Sequence, residues 1–258
     1  MRRIIVISSY VARGTVGLQA TLAALTRPDY EVMALPTVVL SNHPGHKLSA
    51  GMVVAPENLS AMTAALDGNG WLAGVDAVLT GYLPSADHVE WAAATVERIK
   101  TLNPVAIFVA DPVLGDDPGG LYINRDAAEA VRKRLLPIAD MATPNRFELA
   151  WLTSADVSGR ETAIVASRAL PVAIVAATSI PDGPALLANI LVEAGQSLAV
   201  TVPRRRHAPH GTGDYFAGLL LAAKLDGLGS EDALRGATTA VTRAIDASID
   251  GTQLRFGV

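Results

Sequence analysis

The chain has 258 residues, 50% of them hydrophobic and 18% charged, with no cysteine and a formal net charge of −4. Without cysteine there is no disulfide framework, no thiolate-ligated zinc or iron–sulfur site and no thiol nucleophile. The acidic balance, with a pI near 5.7, speaks against a nucleic-acid partner, and the length suits one large α/β domain over residues 1–258.

In chain order, Arg3–Ser8 opens as a strand whose Ile4-Ile5-Val6-Ile7 run is continuously apolar. Arg2-Arg3 ahead of it has the look of a secretory n-region. The run stops at Ser8-Ser9-Tyr10, short of an apolar region of about 7–15 residues, so no leader is expected and the cytoplasm is the expected location. A helical window at Val16–Leu25 leads to a strand at Glu31–Thr37, a helix at Glu57–Leu66 and a strand at Ala77–Thr80. Helix Ala86–Lys100, strand Val105–Ala110, helix Arg125–Leu135 and strand Met141–Thr143 follow, then helices at Phe147–Leu152 and Glu161–Ala169. Strands come next at Val172–Ala177, Leu187–Val192 and Leu198–Val202, and helices at Asp214–Leu225 and Glu231–Ala247. The longest apolar candidate, around residues 162–180, carries Arg168 and Pro171 and falls short of the roughly 18 apolar residues of a membrane span. No membrane partner is expected.

Continuously apolar strands alternating with helical windows read as βαβ units around a mostly parallel central sheet, with helices on both faces. The pair within residues 187–202, joined by Glu193-Ala194-Gly195-Gln196-Ser197, reads instead as a short antiparallel hairpin. In open α/β sheets ligands bind outside the carboxyl ends of the strands. There the chain places Ser9 to Gly17, Ser41-Asn42-His43-Pro44-Gly45-His46, Gly81-Tyr82, Asp111 to Asp117, Thr143 to Glu148, and Thr178-Ser179.

Gly211-Thr212-Gly213-Asp214, at the start of an apolar helix, is the most informative segment. Its glycines let the backbone approach an anion, and the first helical turn offers free N–H groups and a positive dipole end. Such a place stabilises a transferring phosphoryl group, and Asp214 is positioned to accept the proton of an attacking hydroxyl. The bland alternative is an ordinary turn with Asp214 as N-cap. Asp111, Asp116, Asp117 and Glu148 form a second constellation, since Mg²⁺ in phosphoryl-transfer sites takes one or two carboxylates plus waters and phosphate oxygens. Its alternative is an acidic turn at 116–120, with Asn145 and Glu148 as helix-start residues; for Asp117 that alternative is preferred. His43 and His46 lack further ligands at zinc spacing, so a substrate-lining role is expected. Arg204-Arg205-Arg206 could clamp phosphate, but short basic runs are usually solvated surface.

Taken together and in this order, these segments resemble the pyridoxal kinase branch of the ribokinase-like superfamily, from about Ser9 to the end of the Asp214 helix. The Asp111–Asp116, Thr143–Glu148 and Gly211–Asp214 segments carry the superfamily likeness. Ser9-x-Val11-x-x-Gly14-x-x-Gly17 and Ser41-Asn42-His43 look like the pyridoxal kinases in particular. The resemblance implies ATP-dependent phosphorylation of the 5′-hydroxyl of pyridoxal, pyridoxine or pyridoxamine, in vitamin B6 salvage. It makes Asp214 the base and the amides of Gly211, Thr212 and Gly213 the anion hole. It places Ser9, His43 and Tyr82 around the pyridine ring, Asp111 and Glu148 at Mg²⁺, Asp111 and Asn145 near the ATP phosphates, and Thr178 and Ser179 near the nucleotide. A homodimer and use of a monovalent cation such as K⁺ are further implications. Pro44 stands where the family pattern commonly has Thr, and Leu18 where it has Asn; both changes are expected to remove a polar group near the substrate. The stretch 180–210, part of the nucleotide side, is compact. These departures keep two alternatives open: a kinase for another hydroxymethyl heterocycle such as hydroxymethylpyrimidine, and a non-catalytic binder of pyridoxal or nucleotide.

Overall fold

Ile4, Ile5, Val6 and Ile7 are each 0% exposed, and they set the centre of the fold. Alternate side chains of a strand feed opposite faces, so Ile5 and Ile7 enter one hydrophobic cluster while Ile4 and Val6 enter another. The computed structural model describes residues 1–205, 207–248 and 253–256. The strands are β1 (Arg2–Arg13), β2 (Tyr30–Asn42), β3 (Gly51–Val53), β4 (Ala77–Thr80), β5 (Ile107–Ala110), β6 (Gly115–Asp116), β7 (Gly120–Leu121), β8 (Met141–Ala142), β9 (Ile174–Pro181), β10 (Leu186–Glu193) and β11 (Gln196–Pro203). The helices are α1 (Leu18–Leu25), α2 (Pro56–Gly68), α3 (Ala86–Leu102), α4 (Arg125–Ala130), α5 (Arg146–Thr153), α6 (Arg160–Ala169), α7 (Thr212–Leu225) and α8 (Ser230–Ala247).

Nine strands form one sheet in the order β11-β10-β9-β8-β5-β4-β1-β2-β3, and β6 pairs with β7 apart from it. The five pairings from β2 through β1, β4, β5 and β8 to β9 are parallel. The two edges, β3 on one side and the β9–β10–β11 meander on the other, are antiparallel. Helices α1, α7 and α8 cover one face, where Leu18, Leu25, Phe216, Leu220 and Leu234 meet Val6, Leu79 and Val109. Helices α2 to α6 cover the other, through Leu59, Val96, Ala127, Leu149 and Ala163 against Ile5, Val78 and Phe108. From β1 the chain crosses by α1 to β2, while the connection from β4 by α3 runs to β5 on the opposite side. The carboxyl ends of β1 and β4 therefore part at a topological switch point, the place where such sheets bind ligands.

The mostly parallel sheet with both faces covered, and the antiparallel hairpin, are as the sequence suggested; several boundaries are not. The first strand runs on from Ser8 to Arg13, so Ser9 lies within β1 rather than beyond it. The second runs on to Asn42, with a register shift opposite Ser8–Tyr10, where Pro36 has no N–H to give the ladder. Thr178 and Ser179 lie in β9, not after it. The window Arg125–Leu135 divides, because α4 stops at Ala130 and a π-helical turn, Val131–Leu135, precedes a 3₁₀ turn, Leu136–Ile138. Strands β3, β6 and β7 were not expected; they are two or three residues long and carry no periodicity to read. No helix among the described residues is long and apolar enough to cross a membrane.

Candidate active site

Helix α7 begins at Thr212, and its N-cap is Gly211 at φ 92°, not Asp214. Asp214 is therefore the third helical residue, and its carboxylate accepts from the N–H of Gly17 and from its own N–H. Left-handed geometry is one reason for glycine at 211. The other is contact: a Cβ there would collide with the carbonyl of Thr15, and a Cβ at Gly17 (φ 55°) would collide with the Oγ and carbonyl of Ser9. The β1–α1 loop and the entry to α7 thus interlock backbone to backbone. Thr21 of α1 adds a bond from its hydroxyl to the Asp214 carbonyl (3.4 Å), and Gly218 lets α7 close on Ala24 and Thr21. Burial raises the Asp214 carboxyl above its ordinary range, opposed by the two N–H donors.

Asp111 directly follows β5 at 6% exposure and Glu148 sits in the first turn of α5 at 3%. Burial, then the charges of Glu148 and Asp214, push the Asp111 carboxyl well up, against the Thr143 hydroxyl that donates to Oδ1 (2.8 Å). Asn145 and Glu148 do start a helix, as a reciprocal capping box: Oδ1 of Asn145 accepts from Glu148 N–H and Oε2 of Glu148 accepts from Asn145 N–H, both at 2.9 Å. Oε1 of Glu148 accepts from Leu114 N–H (2.8 Å). Those bonds hold the ionised form, yet burial dominates and raises Glu148 to about 7. The arrangement fits a cation. Three carboxylates raise one another's affinity for positive charge, and Oδ2 of Asp111 has no hydrogen bond among the described residues. It does not fit a metal held by protein alone, since no group of three or more His, Cys, Asp and Glu among the described residues could hold one. Mg²⁺ shared with waters and phosphate oxygens matches that donor set.

The raised Glu148 also fixes a sign. Its folded value lies above the unfolded 4.5, so its contribution to stability is full below pH 4.5 and is lost as pH rises through about 7. Glu148→Gln should therefore flatten the fall in thermal stability between pH 5 and 7.5 in divalent-free buffer. An unchanged slope in melting temperature would remove Glu148 from that role.

The expected substrate residues gather near the switch point to different degrees. Ser9 lies against Gly17, and so beside Asp214. Tyr82 follows β4 through Gly81, whose Cβ position lies 3.8 Å from Oδ1 of Asp214, and burial raises its phenol. Tyr82 N–H donates to Ser8 Oγ (3.2 Å), and Thr37 Oγ1 donates to the Tyr82 carbonyl (2.7 Å). Ser8, at 0% exposure, ties the two strand ends that flank the crevice. Sequence reading passed it over, although a buried serine closing an apolar run is itself a signal. His43 sits on the loop after β2, half-buried, stacked on His210 with ring centroids 4.1 Å apart. Leu18 is 2% exposed and packs in the α1–α7 core; Pro44 is exposed in its loop.

On the far side, Asn145 forms a parallel bridge with Thr178, whose N–H donates to the Pro144 carbonyl (2.9 Å). Asn145 also donates from Nδ2 to the Gly115 carbonyl (2.8 Å). Ser179 is exposed at φ 60°, where β9 and β10 slip register. Asp117 pairs with Arg146, in keeping with a structural role, and Asp116 accepts from the Tyr122 phenol. Arg205 pairs with Asp246 of α8 (2.7 Å); Arg206 lies outside the described residues.

The sheet order, the acid in the first turn of α7 and the acidic floor at β5 and α5 belong to a ribokinase-like fold. The family model for phosphomethylpyrimidine kinase matches residues 12–257. A pyridoxal kinase (PdxY) of Leifsonia xyli is 32% identical over 245 residues, 93% of this chain and 87% of that protein. A pyridoxine/pyridoxal/pyridoxamine kinase of Bordetella avium is 32% identical over 248 residues, 94% of this chain and 84% of that one. The structure of Leishmania donovani pyridoxal kinase in complex with ADP and pyridoxamine superposes with a TM-score of 0.92 at 31% identity, covering 99% of this chain and 93% of that chain. The chain belongs to the phosphomethylpyrimidine kinase family, and the relatives named above are kinases of pyridoxal and the other B6 vitamers.

Proposed function

We propose that this protein, as one kinase domain, transfers the γ-phosphoryl group of ATP to the 5′-hydroxyl of a B6 vitamer by direct in-line displacement. The observation that carries the reading is Asp214 at the third position of α7, beside Gly81 and Gly17 at the switch point, with its charge acting on the buried carboxyls of Asp111 and Glu148. Asp214 takes the hydroxyl proton as the bond to phosphorus forms. The free N–H groups of Gly211, Thr212 and Gly213 meet the charge on the transferring group, in a geometry fixed before reaction. Ser9, His43 and Tyr82 hold the pyridine ring, and Asn145, Thr178 and Ser179 border the nucleotide. Asp111, with Glu148 behind it, would hold Mg²⁺, which supplies neutralisation of phosphate charge. A monovalent cation such as K⁺, a homodimer and a cytoplasmic location complete the reading. For the dimer, the reading is supported by apolar side chains left exposed on and near edge strand β3, Leu48, Met52, Val53 and Met62.

The test is competition. Purified protein with Mg–ATP is given pyridoxal, pyridoxamine, pyridoxine and hydroxymethylpyrimidine together, with Mg²⁺ or K⁺ omitted in parallel and light scattering on the same preparation. Preferred phosphorylation of a vitamer, Mg²⁺-dependent, is the expected result. Preference for the pyrimidine would move the substrate to the other branch of the family, and binding without turnover would make the chain a non-catalytic binder.

A further inference from the structure

His43 and His210 come from opposite sides of the cleft. His43 is on the loop leaving β2, and His210 immediately precedes the Gly211 N-cap of α7. Their rings lie 4.1 Å apart at an interplanar angle of 21°. Gly45 sits at the seam. Its N–H donates to Nδ1 of His43 (3.1 Å), and a Cβ there would stand 2.9 Å from that nitrogen and 3.8 Å from Nε2 of His210. The bond fixes the neutral tautomer: Nδ1 of His43 accepts, so the ring proton is on Nε2. Protonating Nδ1 would break the Gly45 bond.

We propose that His210 is a positioning residue: by stacking on neutral His43 it clasps the 43–46 loop onto the entry to α7, holding the substrate side of the cleft against the anion hole. This rests on the reading of His43 as a substrate-lining residue. The charged groups that face His43 are His210 and His46, which disfavour its protonation, and Asp116, which favours it; burial is the largest influence and keeps the ring neutral. The clasp is therefore closed while His43 is neutral and loosens when its Nδ1 takes up a proton.

Two readouts test it in His210→Ala and His210→Phe. In ring-labelled protein followed by NMR, His43 titrates below the ordinary histidine range and as the Nε2–H tautomer in the wild type, and moves up in His210→Ala. In steady-state kinetics, His210→Ala raises KM for the vitamer about two- to tenfold, the range a stacked aromatic pair carries, with KM for ATP little changed. His210→Phe, which keeps an aromatic ring on His43, restores it. An unmoved His43 titration in His210→Ala, or a vitamer KM that Phe does not rescue, would overturn the clasp. A wild-type protein that phosphorylates no vitamer would instead overturn the functional reading, and the NMR titration would still judge the clasp.

Discussion

Asp214→Asn should lower kcat for vitamer phosphorylation by about 10²–10⁴-fold, the share that a positioned base contributes, while leaving vitamer and ATP affinity near wild type. Asparagine keeps the shape of the side chain, and its Oδ1 can still accept the Gly17 N–H that holds the carboxylate. What is lost is the capacity to take the hydroxyl proton. Removing the charge also relieves Asp111, whose carboxyl Asp214 helps to raise, so the variant should be no less stable than the wild type. Calorimetric titration of ligand beside single-turnover kinetics separates the two effects. Equal losses in affinity and turnover would mean that Asp214 builds the pocket rather than serving the reaction.

Gly211→Ala should be the most damaging single change to the same helix entry. An L-residue at φ 92° carries roughly 1–2 kcal/mol of backbone strain, and the new Cβ would meet the Thr15 carbonyl and Val16, so the cost exceeds that figure. Relief requires α7 to move away from the β1–α1 loop, and a misplacement of about 1 Å costs on the order of 10²-fold in turnover. Gly213→Ala is the matched control: nothing lies within 4 Å of a Cβ there and its φ is not positive, so global stability should hold. Denaturant unfolding with kcat for both variants checks the contrast. Similar unfolding midpoints would show that the close approach at 211 is not the constraint.

The central strands were legible because they are buried on both faces: Ile4–Ile7 is an unbroken apolar run, and it pairs in parallel with the buried strand Ala77–Thr80. The ends of β1 and β2 were not, since Ser9, Tyr10, Ser41 and Asn42 are polar or half-exposed there, and β2 is held at its end by side-chain bonds of Ser41 and Asn42 to the segment 43–50 as well as by its pairing with β1. The G-x-G-D segment pointed to the start of a helix, and α7 does start there. Its interlock with Gly17 and Thr15 joins residues nearly 200 positions apart, which no local pattern encodes. Asn145 and Glu148 posed a choice between helix cap and site, and the geometry makes them a cap that also lies against Asp111. The His43–His210 stack was invisible for the same reason as the interlock, because only the fold brings the two loops together.

The most direct measurement is formation of vitamer 5′-phosphate by the purified chain with Mg–ATP, wild type against Asp214→Asn. The expected result is stoichiometric conversion of ATP to ADP with phosphate on the 5′-oxygen in the wild type, and a rate at least 10²-fold lower in the variant. Equal rates in the two proteins would contradict Asp214 as the base, and no product from any vitamer in the wild type would contradict the proposed function.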